Sequence, residues 1–379
     1  MKTNQKWIWQ QGDWPNFYYD IKVLISGMND VSRLIGALEV MAQSLTENDL
    51  LKASEKILFD DAIETSAIEG EMLKRSSVRS SIRKKLGLPQ KTYSSDHKTD
   101  SLVSMLLDTR ENSYQYLSDD ILIKWHAALF PTGYSGLHKI RVGEYRGKEE
   151  MRIISGPIGK EKVHYIAPPK KNLNKEMELF FDWINHDDQT APILKAGIAH
   201  LWLVMIHPFD DGNGRICRAV SDYVLSKAFP LLVRIFSISS EIHKNQKSYY
   251  AILEQTGKNT VDITDWLKWF TQMLFNALKE SQWVINQVFQ KTLFWNKFKD
   301  IQLNSRQKKA LNRLLDAGDK FIGGLTTRKY AGICKCSKVT ASRDLSDMEN
   351  KNLIYKRPGS GRSTSYAISV LWNKKIDIT

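Results

Sequence analysis

The chain has 379 residues, of which 42% are hydrophobic and 26% charged, and this apolar content excludes a chain that is disordered over most of its length. Its longest apolar run, Leu201 to Ile206, is far shorter than the roughly 20 residues of a membrane-spanning helix, and no secretory signal opens the sequence. Three cysteines argue against a disulfide framework and favour a reducing compartment. We therefore expect a cytoplasmic protein with no membrane partner.

The positive charge is concentrated in the last quarter of the chain. Of the formal net charge of +13, residues 281–379 supply +12, with 19 Lys and Arg against 7 Asp and Glu. Residues 1–280 are nearly neutral at +1. A nearly neutral body with a basic appendage predicts two functions, one of which involves a polyanion.

The first region, 1–110, is predicted to be helical. We expect the aromatic cluster at 7–19 to pack as an arm onto a core rather than to form an exposed binding face. The spacing of apolar residues over 31–41 predicts an amphipathic helix, and two further helices are expected at about 55–75 and 76–86.

The second region, 111–280, is predicted to be helical with one β-hairpin. Its helices are expected at 121–130, 175–185, 191–206 and from about 215 onward. Between 151 and 166, two short apolar runs flank a turn rich in glycine and proline, which is typical of a β-hairpin.

The third region, 281–379, is predicted to hold a linker helix and a winged-helix domain that begins near 298. Helices are expected at 305–317, 327–333 and 337–350, and two strands at 354–368. A helix, a helix-turn-helix and then a β-wing is the order typical of a winged helix-turn-helix domain.

The most informative segment is HPFDDGNGRICR at 207–218. Its glycines permit close approach of the backbone to a ligand, its successive N–H groups form an anion nest, and the next helix adds its N-terminal dipole. Arg215 and Arg218 are three residues apart and project from one side of that helix. Together these parts predict a socket for a polyphosphate, although no Walker-type phosphate loop is present.

Two further residues of this segment carry chemistry. Asp211 offers the hard oxygen ligand that Mg²⁺ prefers, and His207, whose residue type titrates near neutrality, is a natural general base. Each residue alone is most often structural, and the prediction depends on their coincidence within twelve positions.

The segment resembles the signature of the Fic (filamentation induced by cAMP) family, H-P-F-x-[DE]-G-N-G-R-x-x-R, and matches every specified position. The resemblance covers about 111–280. It implies a mainly α fold, a helical bundle with a β-hairpin flap, here followed by the winged helix. It also implies a protein adenylyltransferase, which transfers AMP from ATP to a Tyr, Ser or Thr hydroxyl of a target protein or of itself.

The resemblance assigns roles to individual residues. His207 takes the proton of the attacking hydroxyl, Asp211 binds the Mg²⁺, and Arg215 and Arg218 neutralise the β- and γ-phosphates. The nest that lines the phosphates consists of Gly212, Asn213 and Gly214. Further contacts to the nucleotide are expected from Val163, His164 and Tyr165 in the flap and from Tyr249 and Tyr250, for which packing is the alternative.

A second motif, Thr65 to Gly70 (TSAIEG), resembles the Fic inhibitory motif [ST]-x-x-x-E-[GN]. Thr65 and Glu69 are four residues apart and share one helix face. The resemblance implies that Glu69 pairs with Arg218 and displaces the γ-phosphate, so that ATP binds unproductively. In some relatives the same glutamate aligns a water that removes AMP from the target, and both roles stay open here.

The basic appendage is predicted to bind duplex DNA through the helix at 337–350 and the wing. The expected contacts are Lys338, Ser342, Arg343, Arg357 and Arg362. Protein docking is the alternative use of such a domain.

Other functions remain open beside an autoinhibited adenylyltransferase. One is a DNA-binding transcriptional regulator whose Fic core turns over little. Another is a Fic enzyme that uses UTP or a phosphocholine carrier as its donor, or that removes AMP. Members of the family often form dimers, which makes a homodimer an alternative to a monomer.

Overall fold

A computed structural model describes residues 6–89, 94–157, 160–230, 236–258, 260–318, 321–358 and 364–368. The chain divides into two compact units. The first unit comprises Met1–Thr46 and Leu50–Gln282, and the second comprises Glu47–Asp49 and Trp283–Thr379. Within the described ranges, none of the helices has the length and apolarity needed to cross a bilayer.

Helices dominate the part of the chain that is described up to residue 297, as predicted, and two small hairpins interrupt them there. The helices before the hairpins are α1 (Ile21–Gln43), α2 (Glu47–Ile68), α3 (Arg75–Lys85), α4 (His97–Glu111) and α5 (Asp119–Leu129). The hairpins are β1 (Tyr134–Ser135) with β2 (His138–Lys139), and β3 (Arg152–Ser155) with β4 (Lys162–Ile166). The later helices are α6 (Lys170–His186), α7 (Pro192–Ile206), α8 (Asn213–Ala228), α9 (Ile238–Lys244), α10 (Gln246–Thr256) and α11 (Thr264–Lys297).

Helix α7 is the centre of the first unit. Twelve of its 15 residues are buried, because its sequence is apolar on all sides. Gly197 allows α11 to approach closely, since a Cβ there would lie 2.9 Å from a methyl group of Leu267. Trp266 Nε1 donates a hydrogen bond of 2.8 Å to the Gly197 carbonyl at this contact. These contacts fix α7 against α11, and the 207–218 segment follows at the end of α7.

The aromatic arm packs onto this unit, as predicted. The Trp7 ring meets Tyr165 edge-on at 5.4 Å between centroids, and Trp9 Nε1 donates to the Ile166 carbonyl at 2.7 Å. Trp14 Nε1 donates to the Glu176 carboxylate at 2.8 Å. The arm thus ties β4 and α6 together and is not a free binding face.

The β-hairpin predicted at 151–166 is confirmed. Strands β3 and β4 are antiparallel, with Arg152 opposite Ile166 and Ser155 opposite Lys162. The register shifts between Ile153 and Ile154.

The helix predicted at 55–75 has the wrong ends. α2 begins at Glu47 and stops at Ile68. Gly70 has φ +76, the Gly70 N–H donates to the Ala67 carbonyl, and the Glu71 N–H donates to the Ser66 carbonyl at 2.9 Å. These bonds are the two bonds of a Schellman C-cap, which a left-handed glycine permits at little cost. Glu69 therefore lies just beyond the helix.

The described residues of the second unit form three further helices and three strands. They are α12 (Ser305–Ala317), β5 (Leu325–Thr326), α13 (Thr327–Cys334), α14 (Lys338–Asn350), β6 (Ile354–Lys356) and β7 (Ser365–Ile368). The strands form an antiparallel sheet in the order β5-β7-β6 around a core that includes Leu311, Tyr330 and Leu345. The predicted helices and two strands are confirmed and β5 is an addition, while the winged-helix assignment stays a prediction.

Candidate active site

His207 closes α7 in a left-handed conformation, with φ 53 and ψ 62. Its N–H still donates to the Leu203 carbonyl at 3.0 Å, as in the helix, and the left-handed φ and ψ then turn the backbone out of the helix. The buried side chain of Arg146 holds this turn, because its Nε donates to the His207 carbonyl at 2.8 Å. The Arg146 N–H also donates to the Pro208 carbonyl at 2.9 Å. Two contacts from one residue therefore stabilise an uncommon backbone conformation.

The hydrogen bonding and burial of the His207 imidazole fix its protonation state. Its Nδ1 lies 3.1 Å from the Val204 carbonyl, which can only accept, so Nδ1 carries the proton and Nε2 keeps its lone pair. Burial, assisted by the positive charge of Arg146, lowers the pKa of His207 to about 4. The ring is therefore neutral at pH 7, and the residue remains partly exposed to solvent.

The middle of the segment is locked by Phe209 and Asn213. The Asn213 amide accepts from the Phe209 N–H at 3.0 Å and donates to the Phe209 carbonyl at 2.9 Å. The Phe209 ring stacks on His126 at 4.1 Å between centroids, and His126 Nε2 donates to the Asp211 carbonyl at 3.1 Å. Both polar groups of the Asn213 side chain thus bond within the loop. Only the backbone N–H of Asn213 would be available to bind an anion.

The two aspartates are oriented by neighbouring segments. Asp210 pairs with Arg141 at 3.1 Å. Asp211 accepts from Ser135 Oγ in β1 and from the Gly212 N–H. In the part of the chain that the structure covers, no group of three or more His, Cys, Asp or Glu side chains could hold a metal ion. A cation at Asp211 would therefore need further oxygen ligands from water or from a bound molecule.

Both arginines of the motif are buried, with side chains that are 2% exposed, yet each keeps an unpartnered N–H group. Arg218 donates to Thr65 Oγ1 at 2.9 Å, to the Thr65 carbonyl at 3.0 Å and to Glu69 Oε1 at 2.8 Å. Arg218 Nη1 and Arg215 Nε have no hydrogen-bond partner within the described ranges. Buried, under-satisfied guanidinium groups mark a place where an anion would be bound strongly.

The glycines leave room that side chains would fill. At Gly212, with φ +80, a Cβ would lie 2.8 Å from the Phe130 ring. At Gly214 a Cβ would lie 2.5 Å from Glu69 Oε1 and 3.2 Å from Arg218 Nη1. The Glu69 carboxylate thus lies directly beside Gly214, and the structure brings Thr65, Glu69 and Arg218 into contact.

Sequence reasoning missed three residues of this site: Arg146, His126 and Glu71. Glu71 lies 3.1 Å from Arg215 and 3.1 Å from Lys98. The spacing E-G-E around a C-capping glycine was the available signal for Glu71. Arg146 and His126 reach the loop from distant segments, and nothing near them in the sequence marks them.

The flap residues predicted to touch a nucleotide have different surroundings. Val163 is exposed. His164 bridges Ser155 Oγ, at 2.6 Å from its Nε2, and Glu254, at 2.5 Å from its Nδ1. Tyr165 is buried and donates to the Met205 carbonyl at 2.9 Å, which favours packing as its role.

The two tyrosines of α10 also differ. Tyr249 is 2% exposed and its hydroxyl lies 2.9 Å from His200 Nε2, so its placement favours core packing. Tyr250 is 48% exposed, with its hydroxyl 3.5 Å from the carbonyl of Ile68, next to Glu69. Tyr250 is therefore the better placed candidate for a nucleotide contact.

Comparison with known families agrees with this geometry. Residues 116–225 match the Fic/DOC family, so the chain contains a Fic/DOC domain that includes the 207–218 segment. Residues 7–88, which include Thr65 to Gly70, match a domain of unknown function, DUF4172.

Curated relatives share the domain at modest identity. Protein adenylyltransferase Fic of Nematostella vectensis is 26% identical over 216 residues, which cover 55% of this chain and 46% of that protein. Protein adenylyltransferase fic-1 of Caenorhabditis elegans is 24% identical over 172 residues, 45% of this chain and 32% of that protein. The chain thus spans less than half the length of these relatives.

Two solved structures share the fold. A Fic family protein from Desulfovibrio desulfuricans G20 superposes with a TM-score of 0.54 at 21% identity, over 93% of this chain and 97% of that chain. A Fic domain-containing signaling protein from Bacteroides thetaiotaomicron VPI-5482 gives a TM-score of 0.52 at 18% identity, over 68% and 97% of the two chains.

Proposed function

We propose that the chain is a protein adenylyltransferase that transfers AMP from ATP to a Tyr, Ser or Thr hydroxyl of a target protein or of itself. The observation that carries the proposal is a neutral imidazole at one end of a loop whose other end holds two buried, under-satisfied guanidinium groups. Among the residues that the structure describes, no hydrogen bond reaches the Nε2 of that imidazole. The names of the curated relatives support the same reaction. In this proposal residues 1–110 supply the inhibitory motif, 111–280 the catalytic core and 281–379 the basic appendage.

Each residue of the loop has a separate role in the proposed transfer of AMP. The hydroxyl oxygen of the target attacks the α-phosphorus, His207 Nε2 takes the hydroxyl proton, and the bond between the α-phosphorus and its bridging oxygen breaks. AMP stays on the target and pyrophosphate leaves. Arg215 and Arg218 neutralise the departing phosphates, and the backbone of 212–214 orients them. Such transfers are accelerated mainly by positioning and charge neutralisation, which a rigid loop supplies.

Magnesium fits this site through Asp211. Mg²⁺ typically keeps several waters and is held by one or two carboxylates together with substrate phosphates, so a single carboxylate meets its requirement. When bound, the ion would add positive charge beside the phosphates. Ser135 and the Gly212 N–H fix the orientation of the carboxylate that would hold it.

Glu69 is proposed to keep the enzyme inactive. Its carboxylate occupies an N–H group of Arg218 at 2.8 Å and lies beside Gly214, where the phosphates would pass. Since ATP and Glu69 compete for one cation, removal of the carboxylate favours the productive complex.

Labelling with ATP carrying ³²P at the α-position tests the proposal. Wild type, Glu69→Gly and His207→Ala are compared with lysate proteins as acceptors. We expect label on protein with Glu69→Gly at several times the wild-type rate, and none above background with His207→Ala. Equal labelling by all three proteins would contradict the proposal.

The same assay separates the alternatives. Label that appears only from UTP, or transfer of phosphocholine from its carrier, would identify another donor. Loss of label from a pre-modified target, dependent on Glu69, would identify removal of AMP. Size-exclusion chromatography with light scattering decides between a monomer and a homodimer.

DNA binding by the second unit is a second candidate function. Lys338, Ser342 and Arg343 are all exposed on α14, and Arg357 is exposed after β6, while Arg362 lies outside the described residues. Ser337 caps the helix, since its Oγ accepts from the Thr340 N–H at 3.1 Å. An exposed basic helix face fits the phosphate backbone and base edges of a duplex. DNA binding without protein labelling would favour a transcriptional regulator.

A further inference from the structure

A second carboxylate reaches the 207–218 loop beside Glu69. Glu71 Oε2 lies 3.1 Å from Arg215 Nη1, and the two side chains are 21% and 2% exposed. The Schellman turn explains this geometry, because the left-handed Gly70 separates the two glutamates and directs them to different arginines. Arg218 and Arg215 therefore each have an acidic partner from one turn.

The two ion pairs differ in whether the carboxylate has a second cation within reach. Glu71 Oε2 also lies 3.1 Å from Lys98 Nζ in α4, and the Lys98 side chain is 46% exposed. Among the described residues, Arg218 is the one cation within ion-pair distance of Glu69. Glu71 thus has an alternative partner near the solvent, and Glu69 does not.

We infer that Glu71 sets the affinity of the nucleotide site by competing with a phosphate group for Arg215, and that Lys98 weakens this competition by holding Glu71 after the exchange. The inference rests on the proposed function, since it takes Arg215 as a ligand of the β- and γ-phosphates. A buried guanidinium is costly without a counter-charge, so exchange of one anion for another is favoured over a vacancy. Glu71 keeps Lys98 as a partner throughout, so no carboxylate is left unpaired.

The exchange predicts that two substitutions, one at Glu71 and one at Lys98, shift the Kd for ATP in opposite directions. Glu71→Gln keeps the size of the side chain and removes the competing charge, so the Kd for ATP falls by about five-fold. Lys98→Met removes the alternative partner of Glu71, so Glu71 stays on Arg215 and the Kd for ATP rises by about three-fold. AMP lacks the phosphates that would meet Arg215, and its Kd is expected to change with neither substitution.

Isothermal titration calorimetry on the full chain tests the inference, in a Glu69→Gly background where Glu71 is the remaining acid of the turn. Arg215→Ala serves as the reference for the phosphate site, and Glu178→Gln, an exposed position on α6, is the charge-matched control. Thermal unfolding of each variant checks that it is folded. Since the two test variants are expected to shift in opposite directions, a general loss of stability cannot imitate the result.

The outcomes separate the inference from the function beneath it. If ATP binding is independent of Arg215, the phosphate site itself is wrong, and the inference falls with it. If binding depends on Arg215 while Glu71→Gln leaves the Kd within two-fold, or both variants shift it in one direction, the inference is overturned and the proposed function stands. Opposite shifts for ATP with a constant Kd for AMP support the inference.

Discussion

The loop at 207–218 and the outer face of α14 both carry cations, but in opposite settings. Arg215 and Arg218 are buried, and each meets one carboxylate at about hydrogen-bond distance. Lys338 and Arg343 are exposed to solvent. A buried charge depends on particular partners, so its surroundings have large and local effects. Exposed charges act on a polyanion as a sum, so each contributes little.

The largest expected effect is a loss of AMP transfer when the contacts of Asn213 within the loop are removed. Asn213→Ala removes both hydrogen bonds that tie Phe209 and leaves a buried N–H and a buried carbonyl unpaired, at about 1–3 kcal/mol each. We expect AMP transfer in a Glu69→Gly background to fall about 100-fold, because the loop loses its fixed geometry. The initial rate of label incorporation measures this.

Asn276→Ala is the matched control, since that amide contacts Gln272 at the surface of α11. A rate within three-fold of the parent for Asn213→Ala would mean that the loop does not need this clamp, and the contrast with α14 would weaken.

The next effect is a pH dependence. His207 must be neutral to accept a proton, and burial together with Arg146 lowers its pKa to about 4. The rate should therefore stay nearly constant from pH 8 to pH 5.5 and fall only as pH approaches about 4. An unperturbed histidine, with a pKa of about 6.5, would instead lose about 10-fold by pH 5.5.

The profile of kcat/KM against pH, with the melting temperature recorded at each pH, measures this. An acid limb centred near pH 6.5 in a protein that remains folded would show that the His207 ring is solvated during turnover. In its contact with solvent, the His207 ring would then resemble the exposed charges of α14 more than the buried arginines of its own loop.

The candidate site could be located from the sequence because its residues are contiguous: a histidine, aspartates, glycines and arginines lie within twelve positions. The same holds for the second unit, where caps such as Asn304, Thr326 and Ser337 mark the helix starts locally. Strand β5 was missed because two residues carry no periodicity, and its pairing with β7 alone defines it.

Other parts depend on tertiary contacts. Arg146 and His126 act on the loop across 61 and 85 residues of sequence. The prediction of one helix at 55–75 overlooked that Gly70 ends α2 in a left-handed turn, and that turn is what presents Glu71 to Arg215. A motif therefore identifies the groups that are proposed to react, and the residues that hold those groups become visible only in the fold.

On the α14 side, a single substitution should have a modest effect. Arg343→Ala removes one exposed charge, so the Kd of the full chain for duplex DNA should rise about five-fold, and the slope of log K against log salt should fall by about 1. Fluorescence anisotropy over a range of salt concentrations measures both. Arg33→Ala, an exposed arginine of α1, is the control. An unchanged salt slope for Arg343→Ala would remove α14 from the contact surface.

The smallest expected effect on the site separates core packing from nucleotide binding at Tyr249. Burial lowers the pKa of His200 to about 3, so this buried ring is neutral and has one donor and one acceptor. Ser221 Oγ donates to the Cys217 carbonyl at 3.1 Å and therefore accepts from His200 Nδ1 at 3.0 Å. Nε2 is then the acceptor, and Tyr249 donates to it at 2.9 Å.

Tyr249→Phe leaves the buried Nε2 of His200 without a donor, so we expect the free energy of unfolding to fall by about 1–2 kcal/mol while the KM for ATP is unchanged. Urea denaturation and steady-state kinetics measure the two quantities. Tyr250→Phe, at a half-exposed position one residue away, should leave stability within about 0.5 kcal/mol. A several-fold rise in KM for Tyr249→Phe, with stability unchanged, would instead place that hydroxyl on the nucleotide. The neutral ring of His200 would then need another donor. Tyr249 would be a buried residue that moves when the nucleotide binds, in contrast to the fixed contacts of the 207–218 loop.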